Sequence, residues 1–147
     1  VPALEAGAAA RAADLAPITR VVGAIVGLHD GTDASHERAE AVVRGTLGFY
    51  GSTPAYRSVL DAHGWGDLQP ELRELTKTGR WDQLGGRYEP EQVATLAIIG
   101  TPDRVAEELH RRFAGIADRV ALSMPDEPPI ELIAGLCERY AEGPGPS

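Results

Sequence analysis

Two stretches of the chain have the hydrophobic pattern of buried β-strands. Residues 19–28 are β-branched and almost continuously apolar, and residues 117–124 form a second, shorter stretch. A strand with one side in water alternates apolar and polar residues, whereas a strand covered on both faces does not. The pattern predicts two parallel strands, each buried on both faces. They are expected to be neighbours, since a right-handed crossover joins sequential parallel strands.

Most of the remaining chain has helical periodicity. The predicted helices cover residues 2–13, 34–48, 89–99, 102–115 and 128–140. The clearest helix start has Thr101 as N-cap, Pro102 at the first helical position and Asp103 beside the positive helix end. Opposite charges on that helix predict two i,i+4 ion pairs, Glu107 with Arg111 and Glu108 with Arg112. One side of the last helix is predicted to face the core: Ile130, Ile133, Ala134 and Cys137.

Between the second and third helices the periodicity breaks down. Residues 51–86 are predicted as short helices without a strand, with Gly64 and Gly79 at helix ends. The chain is therefore taken as one unit over residues 1–147, with an insertion at about 51–88 and a frayed Gly/Pro-rich tail at 142–147. Strands that are each followed by helices favour an α/β fold.

The number of strands is too small for a closed structure. A (β/α)8 barrel has eight strands and roughly 250 residues, whereas this chain has 147 residues and two predicted strands. The first residue is Val1 and the only methionine is Met124. The chain is therefore expected to be a piece of a longer protein.

Composition excludes several classes of function. The 43% hydrophobic content is typical of a globular domain, and a formal net charge of −8 with scattered arginines disfavours nucleic-acid binding. A single cysteine can form no internal disulfide, and no apolar run approaches the roughly 20 residues of a membrane span. A cytoplasmic location, with neither a membrane nor a nucleic-acid partner, is the resulting expectation.

Candidate site residues follow the strands, because α/β barrels place their chemistry at the carboxyl ends of strands. His29 and Asp30 follow the first strand, and Ser123 and Met124 end the second. A polar turn before a helix cap is the simpler explanation of His29-Asp30-Gly31. His29 is kept as a candidate.

Most aromatic residues of the chain fall in or beside the insertion: Tyr50, Tyr56, Trp65 and Trp81, with Ser52 and His63 among them. They could line an apolar substrate pocket or form the insertion's own core. In the first case Tyr50, Tyr56 and Trp65 are expected beside a cleft on the side where the strands end at Leu28 and Met124. Likewise Lys77, Arg80 and Arg87 could meet an anionic cofactor tail or be solvated charges. No metal-ligand spacing and no nucleophile motif is found, so neither a metal site nor a catalytic residue is predicted.

Several segments together resemble one family. They are GFYGSTPAY at 48–56, HGW at 63–65, GRW at 79–81, IIGTPDRVA at 98–106 and ADRV at 117–120. This set resembles the C-terminal part of the luciferase-like monooxygenase superfamily, in particular the coenzyme F420-dependent oxidoreductases of actinobacteria. The GTPD segment is widespread in that superfamily, whereas the FYGSTPAY stretch with HGW is narrower.

The resemblance implies a (β/α)8 barrel with a helical insertion, in which residues 20–28 and 119–124 are the seventh and eighth strands. It implies hydride transfer between coenzyme F420, or flavin mononucleotide (FMN) as the alternative, and a small organic substrate. The pocket residues it suggests are His29, Tyr50, Ser52, Tyr56 and Trp65.

In that family the groups that hold the cofactor ring and phosphate come mainly from segments that precede this chain. The chain alone is therefore expected to be inactive, and the intact protein to be an enzyme, with a homodimer as a further expectation. The alternative function is a non-catalytic helical interaction module or barrel remnant.

Overall fold

The computed structural model describes residues 2–11 and 16–143. The helices are α1 (Pro2–Ala9), α2 (Asp33–Ser52), α3 (Arg57–Ala62), α4 (Leu68–Lys77), α5 (Pro90–Leu96), α6 (Pro102–Phe113) and α7 (Ile130–Glu142). The strands are β1 (Val21–Leu28), β2 (Ala97–Gly100) and β3 (Arg119–Ser123). Short 3-10 helices lie at Pro54–Tyr56, Trp81–Gln83 and Gly85–Arg87.

The strands form one parallel sheet with β1 in the centre and the order β2-β1-β3. The first half of β1 pairs with β3, starting at Val21 opposite Arg119, and the second half pairs with β2, ending at Leu28 opposite Gly100. The prediction that the two apolar stretches form neighbouring parallel strands is confirmed. The fold is a helix-rich α/β unit with a small parallel sheet.

An exposed ion pair joins the start of β1 to the start of β3. The Arg20 backbone N–H and guanidinium both donate to the Asp118 carboxylate, at 2.8 and 2.9 Å. These hydrogen bonds lower the pKa of Asp118 to about 2. Because both side chains are more than a third exposed, we assign the pair to strand alignment rather than to a large gain in stability.

The strand β2 was not predicted, and the predicted helix over residues 89–99 is wrong in its last three positions. Helix α5 ends at Leu96, and Ala97–Gly100 pairs with the second half of β1. A short apolar run suits a buried helix face and a buried strand equally, so periodicity cannot distinguish them. Pairing with β1, which is remote in sequence, decides the conformation.

The two faces of the sheet contact different helices. Ala24, Val26 and Leu28 pack in one core cluster with residues of α6 and α7. Ile25 packs on the opposite face against a second cluster, which is built from α2, the insertion and α5. Alternation of side chains along β1 therefore separates two cores.

Burial on both faces was predicted for both strands, and this is wrong for β3 and for the start of β1. Side chains of β3 alternate between exposed and partly buried, and Val21 is 61% exposed. The reason is that α2 and the insertion cover only the carboxyl-terminal half of their side of the sheet. We call the uncovered part the open sheet face: Val21, Gly23, Arg119, Ala121 and Ser123.

The start of α6 agrees with the sequence. Thr101 is the N-cap with extended backbone, and Pro102 opens the helix. The predicted pair Glu107–Arg111 is wrong. Glu107 instead accepts a hydrogen bond from Arg104 at 2.6 Å, and Glu108 pairs with Arg111 and, as predicted, with Arg112. Residues three and four apart are both neighbours on a helix, so Glu108 can hold two arginines.

Of the four residues of α7 predicted to face the core, Ile133 does so and the other three do not. Its residues that pack against the core are Leu132, Ile133, Leu136 and Tyr140. Cys137 is exposed and Ile130 is 69% exposed, so their assignment to the core, like that of the exposed Ala134, is wrong. Apolar residues occur on more than one side of this helix, and the sequence does not tell which stripe meets the sheet.

The other predicted helices and strands are confirmed, but their ends are shifted. Helix α2 continues to Ser52, four residues beyond its predicted end, and none of residues 51–86 is in a strand. Gly64 and Gly79 have φ values of +75° and +73°, the left-handed conformation expected after a helix. Helix α1 ends at Ala9, and none of its residues is buried. Residues 12–13 and 144–147 of the predicted first helix and tail lie outside the described residues.

In the described ranges, no helix is both long enough and apolar enough to cross a bilayer.

Two glycines of α2 provide a matched test of how closely the insertion packs on this helix. A Cβ at Gly48 would lie 2.5 Å from Leu84 Cβ, whereas a Cβ at Gly45 would meet nothing within 4 Å. We expect Gly48→Ala to lower the free energy of unfolding by about 1–3 kcal/mol. Gly45→Ala should raise it by up to about 1 kcal/mol, since alanine is the better helix former.

Urea unfolding followed by circular dichroism measures both changes. Equal changes in the unfolding free energy of the two variants would contradict the close contact between Leu84 and Gly48 of α2.

Candidate functional site

An apolar cleft of about 400 Å³ lies between β1 and the insertion. We call it the aromatic cleft; it is lined by Gly23, Ile25, Leu47, Tyr50, Gly51, Tyr56, Val59, Leu60, Tyr88 and Leu96. Ligand sites in proteins are commonly concave and mainly apolar, with a few polar groups that fix orientation. Here the polar side-chain atoms are the hydroxyls of three tyrosines.

Two of these tyrosines come from adjacent elements. Tyr50 lies in the last turn of α2, and Tyr56 ends the 3-10 helix that Pro54 begins. Their ring centroids are 5.4 Å apart, within the range of favourable aromatic pairs. Tyr50 is 36% and Tyr56 48% exposed, so both rings stand at the rim of the cleft.

The third tyrosine is structural. Tyr88 is 3% exposed, and its hydroxyl donates a hydrogen bond to the Leu47 carbonyl at 2.9 Å. Burial raises the pKa of Tyr88 to about 12. Gly51 lies opposite this ring, and a Cβ at position 51 would collide with the Tyr88 hydroxyl. This contact joins α2 to the end of the insertion and forms the inner wall of the cleft.

Two of the predicted pocket residues do not line the cleft. Ser52 is buried, and its hydroxyl donates to the Phe49 carbonyl at 2.7 Å while its own carbonyl accepts from Gln69. Trp65 packs partly buried against the core of the insertion and stacks on His63 with ring centroids 4.6 Å apart. Tyr50 and Tyr56 are therefore brought together, while Ser52 and Trp65 stabilise the insertion.

The position of the cleft along the sheet also differs from expectation. We expected Tyr50, Tyr56 and Trp65 at the edge where Leu28 and Met124 end their strands. The cleft instead meets β1 at Gly23 and Ile25, because α2 covers this face of the strand at Gly27.

His29 lies at the carboxyl end of β1 in a separate network. Its Nδ1 accepts a hydrogen bond from the Gly31 backbone N–H at 3.1 Å, and its Nε2 lies 3.3 Å from Nδ1 of His36. His36 Nε2 is in turn 3.5 Å from a carboxylate oxygen of Glu40. We call these three side chains the imidazole network.

For two neutral imidazoles, the hydrogen bonds assign one tautomer to each ring. Because Nδ1 of His29 accepts, neutral His29 carries its proton on Nε2 and donates it to His36. His36 then carries its own proton on the nitrogen that faces Glu40. A second proton on His29 would sit on Nδ1 and face the Gly31 N–H. Protonation of His29 would therefore break the hydrogen bond that Gly31 donates to it.

The loop around this network begins α2. Asp30 Oδ1 accepts from the backbone N–H and hydroxyl of Thr32, at 3.0 and 2.7 Å, and these bonds lower the pKa of Asp30. Thr32 in turn caps α2 by accepting from the Ser35 N–H. The polar-turn interpretation of residues 29–31 is thus correct for Asp30, and His29 adds a network that the sequence did not indicate.

A second groove of about 340 Å³ runs along β2 and is more polar. Its arginines are already engaged: Arg104 with Glu107, and Arg112 with Glu108 and the Ala94 carbonyl. Hydrogen bonds from Arg111, the largest cause, and from Arg112 lower the pKa of Glu108 to about 2. Both arginines of this groove are therefore already in ion pairs.

Asp126 is not among the residues predicted for a site. This residue follows β3, and both oxygens of its carboxylate are buried without a hydrogen-bond partner among the described residues. The next residue, Glu127, has a φ of +46°, which is unusual for a residue with a side chain. A buried carboxylate without a donor is costly, and the only signal in the sequence is its proline-flanked loop after a strand.

Within residues 2–11 and 16–143, no group of three or more His, Cys, Asp or Glu residues could hold a metal ion.

The imidazole network leads to a prediction about pH. Burial, and secondly the charge of His36, lower the pKa of His29, while Asp30 opposes this. The unfolded chain therefore binds a proton near pH 6.5 that the folded chain does not, so stability falls as pH falls through 6.5 toward the lower folded pKa. We expect His29→Asn, which can still accept from the Gly31 N–H, to lack this dependence.

Urea unfolding of both proteins between pH 8 and pH 5 tests the prediction. As pH falls, the unfolding free energy of wild type should decrease relative to that of His29→Asn. Parallel pH profiles would contradict it.

Comparison with known proteins identifies similar sequences and a matching family. Three curated proteins, one from Mycobacterium bovis and two from strains of Mycobacterium tuberculosis, are each 47% identical to the chain over 88 residues. All three are described as uncharacterized proteins. The match covers 60% of this chain and 26% of each relative, so the chain matches about a quarter of their length. No solved structure gives a significant match.

A family model gives the decisive comparison. The model of the luciferase-like monooxygenases matches residues 1–119, from the first helix to the start of β3. That range contains the aromatic cleft and the imidazole network. Because the match covers well over half of the sequence, the chain belongs to the luciferase-like monooxygenase family.

Proposed function

We propose that the chain is the C-terminal part of an oxidoreductase that transfers a hydride between coenzyme F420 and a small organic substrate, with FMN as the alternative cofactor. Family membership supports an oxidoreductase. The FYGSTPAY and HGW segments, which resemble the deazaflavin-dependent branch, favour coenzyme F420. The match to only 26% of the mycobacterial relatives supports an active enzyme that is longer than this chain.

The observation that carries the proposal is that the aromatic cleft opens beside the open sheet face. Gly23 belongs to both, as a lining residue of the cleft and as an exposed residue of β1. In the proposed barrel, β1 and β3 are the seventh and eighth strands, and α2, the insertion, α5, β2 and α6 lie between them in sequence. Segments of the longer protein that this chain lacks would then cover the open face and close the cleft from the remaining side.

The residues of this chain fit only part of such a cofactor. The lining of the aromatic cleft suits an apolar ring, but it contains no Lys, Arg or His for a phosphate. Two nearby arginines are engaged elsewhere, Arg44 with Glu40 and the Tyr88 carbonyl and Arg20 with Asp118. Arg119 lies on the open sheet face and does not line the cleft. We therefore derive no reaction step through the cofactor from this chain, and assign its phosphate to other segments.

When bound, the cofactor supplies or accepts the hydride, and the protein contributes position and polarity. For this chain we assign the substrate side of the site. The apolar wall of Ile25, Leu47 and Val59 excludes water from the substrate. The hydroxyls of Tyr50 and Tyr56 orient it from the rim.

The proposal predicts a difference between the chain and a longer protein. The 147-residue chain should neither bind nor reduce coenzyme F420, because cofactor binding and catalysis need groups held on a complete scaffold. A version extended to the natural N-terminus should bind it. Fluorescence titration with the deazaflavin, run on both proteins, measures the difference, and parallel titrations with FMN identify the alternative cofactor.

Micromolar binding of coenzyme F420 by the short chain would overturn this division of the site. Failure of the extended protein to bind either cofactor would reject the oxidoreductase proposal in favour of the non-catalytic interaction module.

A further inference from the structure

Two glycines of β1 point to the same face of the sheet but have different surroundings. A Cβ at Gly27 would lie 2.9 Å from Val43 Cγ2 and 3.3 Å from the Ala39 carbonyl, so the packing of α2 explains this glycine. A Cβ at Gly23 would meet nothing within 4 Å. No close contact among the described residues therefore requires a glycine at position 23.

Glycine is unfavourable inside a strand, because it costs backbone entropy and provides no side chain to pack. Gly23 is an exposed lining residue of the aromatic cleft. Any larger residue at this position would project its side chain into the cleft. The glycine thus keeps free the space at the floor, where β1 and the insertion meet.

The opposite wall favours flat ligands with a polar edge. The rings of Tyr50 and Tyr56 stand next to each other at an angle of 55°, and aromatic faces pack well on planar ring systems. Among the side-chain hydrogen bonds of the described residues, none uses either hydroxyl, in contrast to the Tyr88 hydroxyl, which donates to Leu47. Two phenol groups at the rim are therefore free to bind a ligand carbonyl or hydroxyl.

We propose that the aromatic cleft binds a planar, mostly apolar ring system with a hydroxyl or carbonyl on one edge, and that Gly23 sets how far this ring enters. This specificity rests on the proposed function, since the ring is that of the substrate. The cofactor ring is the less suitable occupant, because a cofactor brings a phosphate for which the cleft has no cation.

Binding of 2-naphthol, a two-ring probe with one hydroxyl, tests the proposal through quenching or shift of its fluorescence. Phenol serves as the one-ring probe and is measured by its competition with 2-naphthol. Gly23→Val should weaken binding of 2-naphthol by about tenfold or more, as expected for overpacking, and weaken phenol less. Valine is favourable in strands, so the variant should remain folded by circular dichroism.

The matched control is Ala121→Val. Ala121 is the partner of Gly23 in the β1–β3 pair and lies on the same open face, but it does not line the cleft. It should leave binding of both probes unchanged. Gly23→Ala, which adds one methyl group, should give an intermediate loss and serves as the test if the valine variant does not fold.

Three results would overturn the proposal: no 2-naphthol binding by the folded wild-type chain, equal binding by wild type and both Gly23 variants, or an equal loss in Ala121→Val. In the extended protein, 2-naphthol and cofactor should bind together, and mutual displacement would overturn the assignment of the ring to the substrate. Probe binding needs no redox activity. An extended protein that binds no cofactor would therefore reject the proposed function and leave this result standing.

Discussion

The close contact of helix α2 with the sheet at Gly27 determines where the rest of the molecule can lie. With no side chain at this position, Val43 and the Ala39 carbonyl approach the backbone of β1 closely. The helix axis is thereby fixed over the second half of the strand. The insertion, α5 and β2, which follow α2 in sequence, lie against this half, and the first half of the same face stays uncovered.

Much of the fold could be predicted from local sequence because local interactions decide it. The apolar, β-branched stretch of β1, the Thr101-Pro102 start of α6 and the helix-ending glycines Gly64 and Gly79 each specify their conformation through nearby atoms. The errors concern contacts between distant segments. Ala97–Gly100 becomes a strand because β1 is available to pair with it, and Cys137 is exposed because α7 docks with another stripe.

The candidate site was predictable to a smaller degree for the same reason. Aromatic residues concentrated in and beside the insertion indicated Tyr50 and Tyr56, and the structure brings these two together. Gly23 gives no chemical signal in a sequence, since its effect comes from the space around it. The pairing of His29 with His36 also escaped notice, because it joins a strand end to the next helix across a turn.

The structure divides what the sequence suggested as one pocket into two sites with different chemistry. The aromatic cleft meets β1 at Ile25, and the imidazole network begins four residues further on, a distance of about 13 Å along a strand. His29 uses one nitrogen for the Gly31 N–H and the other for His36, so neither is free for a ligand. Under the proposed function, tyrosine hydroxyls and apolar walls would orient a substrate in the cleft, and any proton that its reaction needs would come from a segment other than the His29 loop.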